Sequence, residues 1–322
     1  MSDFYIVTGG AGFIGSNLVA ALNERGIDNI LVVDRLGESE KWKNLVGLNY
    51  EDFLDKDEFR TAIHLGKLPV PKAIFHMGAC SATTEKDASY LADNNYRVTR
   101  ELLMWSIQAK FRFIYASSGA TYGDGSLGYS DGDEVTPTLR PLNMYGYSKH
   151  MVDLWALKHG YLDQVVGLKF FNVYGPREDH KADMRSVVHK AYGQIMQSGV
   201  VHLFRSYLPD YQDGEQLRDF VYVKDAVKVC LYFADHPERN GLFNVGTGTC
   251  RPWNALAHAV FAAMGRDPKI EYIDMPEHLV QKYQYRTQAD ITKLRAAGYD
   301  QAFATLEEGV KDYVDTWLSD RG

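Results

Sequence analysis

Tyr145 and Lys149 are the side chains whose spacing most directly suggests chemistry, and they lie in the stretch YGYSK. If this stretch begins a helix, both side chains fall on one face, one turn apart. A phenol has an unperturbed pKa of about 10, and we expect the neighbouring ammonium to lower the pKa of Tyr145 toward that of a useful base. Ser118 ends the apolar run FRFIYASS, where its hydroxyl could hold a substrate hydroxyl. The pattern predicts a proton-transfer site, from which Tyr147 is excluded by its spacing and should pack instead.

A glycine-rich loop, Gly9, Gly12 and Gly15 in a GxxGxxG pattern, lies between the apolar run FYIVT and the helical segment SNLVAALNERG. Gly9 would permit a tight turn, Gly12 would let the backbone approach a pyrophosphate, and Gly15 would let helix and strand pack closely. Phosphates would bind the free amides at the helix N-terminus. Spaced glycines alone are weak evidence, but this context predicts a dinucleotide cofactor. Its positive nicotinamide ring would also favour a phenolate.

The end of the second predicted strand leaves the type of dinucleotide open. Asp34 would hydrogen-bond an adenosine ribose and repel a 2′-phosphate, as in NAD sites. Arg35 follows at once, with Lys41 and Lys43 in the next loop, and these cations could neutralise the 2′-phosphate of NADP. On these residues alone the two cofactors are equally supported.

The stretch GPREDHKADM, residues 175–184, poses a question about Lys181. A charge run of this kind usually forms a solvated loop. Lys181 could instead be a chemical group aimed into an active site, and its neighbour His180 has the more suitable unperturbed pKa for acid–base work. The residue pattern by itself favours the solvated loop.

The surrounding elements predict an α/β fold of the Rossmann type, a doubly wound parallel sheet with a smaller, mainly helical substrate-binding lobe. Short apolar runs alternate with helical patterns through the first half, and this rhythm breaks near residue 172. We expect a Rossmann domain at 1–172 that also takes in roughly 220–250, and a substrate-binding lobe at 173–219 and 251–322. The predicted strands are FYIVTGG, ILVVD, AIFHMGA, FRFIYASS and VVGLKFFNVYG.

Composition excludes several classes of protein. The 322 residues are 45% hydrophobic and 24% charged with a formal net charge of −7, so a nucleic-acid partner is not expected. Cys80, Cys230 and Cys250 are far apart and read as reduced thiols, and the histidines show no ligand spacing, so we expect no metal. The sequence offers neither a signal peptide nor an apolar run long enough for a membrane span. We therefore expect a cytoplasmic protein.

The glycine loop, Ser118 and the Tyr145–Lys149 motif, in this order, resemble the extended short-chain dehydrogenase/reductase family. This resemblance implies oxidation or isomerisation of nucleotide-linked sugars with NAD(P). The dehydratases of the family carry an Asp–Glu pair after the strand-end Ser/Thr, whereas Gly119 and Ala120 stand here. Dehydration is therefore not expected.

Further segments are similar to the branch of this family that inverts C6 of ADP-linked heptose, for the inner core of bacterial lipopolysaccharide. They are TGGAGFIGSN, ACSATTE, DNNY, YASS-ATYG, YGYSK, FNVYGPRE-HK, RDFVYV, FN-GTG and TQADITKLRAAGYD. The resemblance implies bound NADP as a transient hydride store, with NAD the less favoured cofactor. It also implies a homo-oligomer, specifically a ring of five subunits.

The same resemblance assigns site residues. It implies Tyr145, Lys181, Lys149 and Ser118 as the catalytic set, with the second base on the lysine rather than His180. The cofactor contacts it implies are Gly9, Gly12, Phe13, Ile14, Gly15, Asp34, Arg35, Lys41, Lys56, Met77, Gly78, Ala79, Cys80, Ser81, Asn94, Lys149, Val173 and Lys181. The substrate contacts it implies are Ser118, Asn172, Asp183, Lys190, Phe204, Arg205, Ser206, Tyr207, Arg218 and Tyr283.

Some residues depart from the family pattern. Asp183 stands in place of a small hydroxyl residue, Lys190 replaces a histidine, and the loop before Arg218 is longer than usual.

Two rival functions follow from the same scaffold. One is a sugar-nucleotide 4-epimerase or reductase that uses Tyr145 alone, and the other is a non-catalytic NAD(P)-sensing or RNA-binding relative, which the intact catalytic residues disfavour.

Overall fold

A seven-stranded parallel sheet forms the centre of the protein, which was analysed as a computed structural model that describes residues 3–280 and 283–319. The strands are β1 (Tyr5–Thr8), β2 (Ile30–Asp34), β3 (Asp52–Asp55), β4 (Ala73–His76), β5 (Arg112–Ser118), β6 (Val166–Phe170) and β10 (Gly241–Val245). Their order across the sheet is β10-β6-β5-β4-β1-β2-β3. Every neighbouring pair is parallel, as the alternating sequence pattern requires.

Helices cover both faces of this sheet. The α-helices of the described residues are α1 (Phe13–Glu24), α2 (Lys56–His64), α3 (Ala88–Leu91), α4 (Val98–Ala109), α5 (Met144–Lys158), α6 (Val187–Ser198), α7 (Val223–Asp235), α8 (Trp253–Ala263), α9 (Glu277–Val280), α10 (Thr292–Ala296) and α11 (Leu306–Tyr313). Alternate residues of β1 enter different cores. Val7 packs with α1 and α7, whereas Ile6 packs with α2, α4 and α5. The predicted Rossmann-type α/β fold is confirmed.

The strand order indicates where a ligand-binding crevice lies. Strands β4 and β2 flank β1 on opposite sides, so the chain changes winding direction between β1 and β4. In sheets of this kind, ligands bind beyond the carboxyl ends of the strands at such a point. Gly9 follows β1 and Met77 follows β4, so the predicted cofactor residues meet at this edge.

A smaller lobe lies beside the sheet and has its own apolar core. It contains a three-stranded sheet, β7 (Asn172–Tyr174), β9 (Leu217–Tyr222) and β11 (Cys250–Pro252), and a parallel pair, β8 (Val201–Phe204) and β12 (Ile270–Ile273). Helices α6, α8 and α11 pack around these strands. The lobe therefore combines helices with two small sheets. The domain boundaries given above stay a prediction.

One predicted strand is wrong in its extent. The run VVGLKFFNVYG was expected to be a single strand, but it divides at Phe171 into β6 and β7. Strand β6 pairs with β5 and β10 in the central sheet, whereas β7 pairs with β9 in the lobe. A continuous apolar run does not show where pairing partners change. This switch carries the chain from the sheet into the lobe, directly before the segment that holds Lys181.

Across residues 3–280 and 283–319, none of the helices has both the length and the apolar character needed to cross a lipid bilayer.

Candidate active site

The loop between β1 and α1 forms a tight cradle. Gly9 has a φ of +66°, and a Cβ there would lie 2.7 Å from the backbone nitrogen of Gly78. A Cβ on Gly15 would lie 2.1 Å from the carbonyl oxygen of Gly9. Gly12 caps α1 without a side-chain hydrogen bond, so the first amides of the helix face the crevice. This cradle fits a pyrophosphate, which binds helix N-terminal amides.

Asp34 is a buried carboxylate whose charge is already compensated. Its Oδ2 accepts a hydrogen bond from the backbone amide of Ala11 at 3.0 Å, and its Oδ1 accepts one from the backbone amide of Arg35 at 2.7 Å. The ammonium of Lys41 lies 2.6 Å from Oδ1. Lys41 stands in a 3₁₀ turn at Glu40–Leu45 that reaches back over the strand end. The Asp34 carboxylate, which would repel a 2′-phosphate, is thus in contact with the Lys41 ammonium, which would attract one.

A smaller cavity of about 180 Å³ adjoins this position. Asp34, Arg35, Lys56 and Asn94 line it, and the Lys56 ammonium donates to the Asn94 side chain at 3.0 Å. Its size and position suit the adenosine end of a dinucleotide. These four residues were all predicted as cofactor contacts.

Asn95 was missed by the sequence analysis, although it stands in the quoted DNNY segment. Its side chain is fully buried and both accepts from and donates to the backbone of Cys80, at 2.9 Å each. It also donates to the Ser148 hydroxyl at 3.0 Å. Asn95 therefore fixes the loop after β4 against the helix that carries Tyr145.

The predicted helix start at YGYSK is observed. Helix α5 is N-capped by Asn143, whose side chain accepts from the amide of Gly146 at 2.8 Å. Tyr145 stands in the first turn and Lys149 one turn later, and Tyr145 shares a hydrogen bond with Ser118 at the end of β5. Tyr147 is 47% exposed, so the expectation that it would pack is wrong. The predicted catalytic trio is brought together.

The electrostatics of this trio differ from the expectation. Burial raises the pKa of Tyr145, and the hydrogen bond with Ser118 only partly opposes this rise. Lys149 is only 3% exposed, and burial lowers its pKa to about 8. In the protein alone, burial therefore outweighs the groups that lower the pKa of Tyr145, and the predicted lowering of this pKa is not observed. Further positive charge is needed to favour the phenolate.

The 175–186 loop, which carries Lys181, is held in place by specific hydrogen bonds and is not a solvated run of charged residues. The buried carboxylate of Glu178 closes it by accepting from the amide and the hydroxyl of Ser186, at 2.6 Å each. Asn17 of α1 donates to the carbonyl of Pro176 at 3.0 Å. Asn44 donates to the carbonyl of Arg177 at 2.9 Å and to that of Ala11 at 3.0 Å. The loop is therefore fastened to the nucleotide-binding loops.

Lys181 is directed into the crevice by this loop. Its ammonium lies 5.1 Å from the ring centre of Phe13 and donates to no acceptor among the residues that the structure describes. Burial lowers the pKa of Lys181. The next residue, Ala182, has a φ of +47°, a strained conformation of the kind found at functional sites.

His180, the competing base, is engaged elsewhere. Its Nδ1 lies 3.1 Å from the Asn44 side-chain nitrogen, and burial lowers its pKa to about 4. A group that holds its proton so weakly is a poor general acid near neutrality. The structure therefore favours Lys181 over His180 as a proton-transfer group.

One cavity of about 750 Å³ unites these features, a volume suited to a cofactor and a substrate. The predicted residues that line it are Gly9, Gly12, Phe13, Ile14, Gly15, Asp34, Lys41, Met77, Gly78, Ala79, Cys80, Ser81, Ser118, Tyr145, Lys149, Asn172, Val173 and Lys181. Trp253, Gln284 and Thr287 line it from the lobe and were not predicted. Thr287 stands in the quoted TQAD segment, whereas Trp253 has no motif around it.

Other predicted substrate residues lie outside this cavity. Asp183 and Lys190 are both exposed, and the Lys190 ammonium donates to the carbonyl of Asp183 at 2.6 Å. Phe204 ends β8, and Arg205, Ser206 and Tyr207 follow it. Arg205 pairs with Asp274 at 3.2 Å, and the amide of Tyr207 donates to the Tyr285 hydroxyl at 3.0 Å.

Arg218 adjoins the cavity through Trp253. It is 6% exposed, and its guanidinium lies 5.5 Å from the ring centre of Trp253 and 4.9 Å from that of Tyr283. The Trp253 indole donates to the Tyr283 hydroxyl at 2.8 Å, which fixes both rings. No carboxylate among the described residues pairs with this cation. Arg218 is therefore available to an anionic ligand.

Comparison with known proteins agrees with this geometry. The chain is 58% identical over 316 residues to the ADP-L-glycero-D-manno-heptose-6-epimerase of Nitratidesulfovibrio vulgaris strain DP4, covering 98% of each protein. The Helicobacter pylori ADP-L-glycero-D-manno-heptose-6-epimerase structure matches with a TM-score of 0.80 and 30% identity, covering 97% of this chain and 95% of that one. The Thermotoga maritima UDP-glucose 4-epimerase structure matches with a TM-score of 0.81 and 28% identity, covering 99% of each. The model of the NAD dependent epimerase/dehydratase family matches residues 5–246, and the chain belongs to this family.

Proposed function

We propose that this protein inverts C6 of an ADP-linked glycero-manno-heptose, in the synthesis of the heptose of the lipopolysaccharide inner core. The observation that carries the proposal is the presence of two partly buried groups able to transfer a proton, Tyr145 and Lys181, on one cavity beside a dinucleotide cradle. The names of the relatives at the stated identities support this substrate.

The cradle at Gly9–Gly15 and the cavity beside Asp34 would hold a nicotinamide dinucleotide. When bound, the nicotinamide supplies a hydride acceptor for the sugar carbon and returns the hydride later. Lys149 would hold the nicotinamide ribose, and Ser118 would position the sugar hydroxyl beside Tyr145. The protein's own chemical task is to move a proton at the C6 oxygen.

Inversion requires the proton to be moved in each of two orientations of the C6 oxygen. Between oxidation and reduction the C6 carbonyl must present its other face, which a rotation about the C5–C6 bond achieves while ring and nucleotide stay in place. The rotated oxygen points away from Tyr145, so a second group must serve it. Lys181 reaches the same cavity on a separate loop, and burial lowers its pKa from the ordinary value of a lysine, which makes its ammonium a better proton donor than that of an exposed lysine.

The lobe would hold the nucleotide part of the substrate. Arg218 is a nearly buried cation between two fixed aromatic rings, and a diphosphate would supply the anion it lacks. Asn172, Phe204, Tyr207 and Tyr283 are proposed as further contacts. For Asp183 and Lys190, the exposed positions described above give no support to a direct contact.

The function is tested by incubating the purified protein with ADP-heptose of one C6 configuration and resolving the two epimers. We expect an equilibrium mixture of C6 epimers and, in heavy water, no deuterium at C6, because the hydrogen removed is the hydrogen returned. Inversion at C4 of a UDP-sugar, with no change at C6 of the heptose, would assign the rival 4-epimerase function. Deuterium at C6 would indicate deprotonation next to a carbonyl and contradict direct oxidation.

We propose NADP as the cofactor. Lys41 neutralises Asp34 in the structure, and Arg35 and Lys56 lie close by, so a 2′-phosphate would meet three cations. Protein purified without added nucleotide should release NADP(H) on denaturation, because an enzyme that returns its own hydride need not exchange the cofactor. Lys41→Ala should retain less NADP, since Asp34 would then face the 2′-phosphate uncompensated. Recovery of NAD alone from the unmodified protein would reverse the assignment.

A cytoplasmic location and a homo-oligomer of five subunits are retained as part of this proposal. Both rest on the sequence resemblance.

A further inference from the structure

A buried ion pair lies beneath the catalytic residues and has no part in the function described so far. Lys169 of β6 and Asp153 of α5 are both 0% exposed, and the ammonium lies 3.0 Å from the carboxylate. Neither residue lines the cavity that holds Tyr145 and Lys181. Neither was singled out by the sequence analysis, because a lone lysine in a strand and a lone aspartate in a helix form no motif.

Hydrogen bonds connect this pair to the segment that carries Ser118. The Asp153 carboxylate accepts from the Ser117 hydroxyl at 2.7 Å and from the Tyr115 hydroxyl at 2.9 Å. The Lys169 ammonium donates to the Thr121 hydroxyl at 2.9 Å, and that hydroxyl donates to the carbonyl of Ser118 at 2.8 Å. The network thus holds the residues on both sides of Ser118.

The pair is also joined to the other catalytic groups through α5. Asp153 follows Lys149 by four residues, so the two side chains lie on one face of the helix. Lys149 in turn follows Tyr145 by the same interval. Ser118 is therefore one residue, Lys149 one turn and Tyr145 two turns from a member of the network.

Stability alone gives a weak reason for this arrangement. Removing two charges from water costs free energy that their attraction often fails to offset, and well-packed apolar residues are commonly as stable in such places. A buried network whose members are all hydrogen-bonded does, however, hold its surroundings in one arrangement.

We propose that the Asp153–Lys169 pair is a positioning element for the proton-transfer site, which fixes Ser118 and keeps Lys149 in its charged form. The proposal deepens the proposed epimerase function and rests on it for its catalytic consequence. Its electrostatic part is independent of the reaction.

The charges around Lys149 show how the pair would act. Burial opposes the ammonium, whereas Asp153 on the same helix and Cys80 after β4 favour it. His76 of β4 also faces Lys149 and is held neutral, because burial lowers its pKa to about 3. Tyr145 stands one turn before Lys149. Asp153 contributes the most to offsetting the effect of burial on the pKa of Lys149.

The test uses Asp153→Asn, Lys169→Met and the double variant, with the side-chain ¹⁵N resonance of Lys149 followed against pH and assigned by its loss in Lys149→Met. Asp153→Asn removes a stabilising anion and should lower the pKa of Lys149 by about one unit. Lys169→Met removes the cation that lies 3.0 Å from Asp153 and leaves this carboxylate without its counter-charge, so it should raise the pKa of Lys149. A general loosening of the fold would move both in the same direction. Movement in the same direction, or none, would overturn the proposal.

The double variant keeps the test valid if either single change prevents folding, because it leaves no unpaired buried charge. It should fold with near-native thermal stability, yet lose about ten- to a hundredfold in kcat for C6 epimerisation. The alkaline limb of its kcat profile should lie at lower pH than in the unmodified protein. A stable double variant with unchanged kcat and pH profile would show that the pair is only structural.

Asp225→Asn is the matched control. Asp225 is also a buried carboxylate paired with a lysine, Lys228 at 2.9 Å, but it lies on α7 and accepts from Ala304 away from the cavity. Its replacement should affect stability without moving the Lys149 resonance. If the unmodified protein shows no C6 epimerisation, the resonance titrations still decide the electrostatic part, so the two proposals can fail separately.

Discussion

Replacing Tyr145 with phenylalanine should lower the rate of C6 epimerisation by a factor of about 10² to 10⁴, the usual effect of losing a general acid or base. The phenylalanine ring fills the same volume, and the N-cap of α5 depends on Asn143 and not on the phenol. The loss should therefore appear in kcat, with the fold and the retained nucleotide unchanged. Steady-state kinetics, thermal unfolding and nucleotide analysis of the denatured protein measure the three quantities.

Tyr147→Phe is the control for this experiment. It makes the same chemical change two residues away, on an exposed side chain of the same helical turn. It should leave kcat within a small factor of that of the unmodified protein. Equal losses in the two variants would point to a general disturbance of α5 and would remove the catalytic role from Tyr145.

Replacing Lys181 with methionine should have an effect of the same order, about 10² to 10⁴ in kcat. Methionine keeps an unbranched apolar stem against Phe13 but has no ammonium to exchange a proton. The 175–186 loop should survive, because Glu178, Asn17 and Asn44 hold it through groups other than the lysine side chain. Near-normal epimerisation by this variant would remove the proton-transfer role from Lys181.

The two variants should also differ from each other. If each group serves one orientation of the C6 oxygen, each variant keeps one half of the reaction and loses the other. A single addition of each pure epimer, followed by the absorbance of reduced nicotinamide, should show opposite epimer selectivity in Tyr145→Phe and Lys181→Met. The exposed Lys158→Met serves as the control and should show no selectivity change. Identical selectivity in both catalytic variants would contradict the two-group scheme.

The central sheet could be predicted from the sequence because its strands are buried on both faces and read as short apolar runs between helical patterns. Strand β3 escaped this reading, since Asp52–Asp55 is a half-exposed edge strand with an acid at each end. The break at Phe171 escaped it for another reason. Neither glycine nor proline interrupts the chain between β6 and β7, and their different pairing partners separate the two strands.

The residues of the site also divide into those that local sequence patterns reveal and those that only the folded structure reveals. The glycine loop, Ser118 and the Tyr145–Lys149 pair follow local rules of spacing, so the sequence placed them on the correct elements. The Lys41–Asp34 contact, the raised pKa of Tyr145 and the position of Arg218 against the Trp253 ring depend on burial and on residues distant in the chain. The same is true of Asp153 and Lys169, because these residues form an ion pair only when the fold places β6 against α5.

The fastening of the 175–186 loop to α1 and to the 3₁₀ turn at Glu40–Leu45 has a consequence for the redesign of this protein. Lys181, the proposed second proton-transfer group, is held in place by the nucleotide-binding half, although its sequence lies among segments of the lobe. An engineer could therefore exchange β8, β12 and the segment that follows β8 to admit a different sugar nucleotide, and both proton-transfer groups would remain in register with the cofactor cradle. The boundary for such a chimera lies after Ser186, where Glu178 closes the loop, and not at the end of the central sheet.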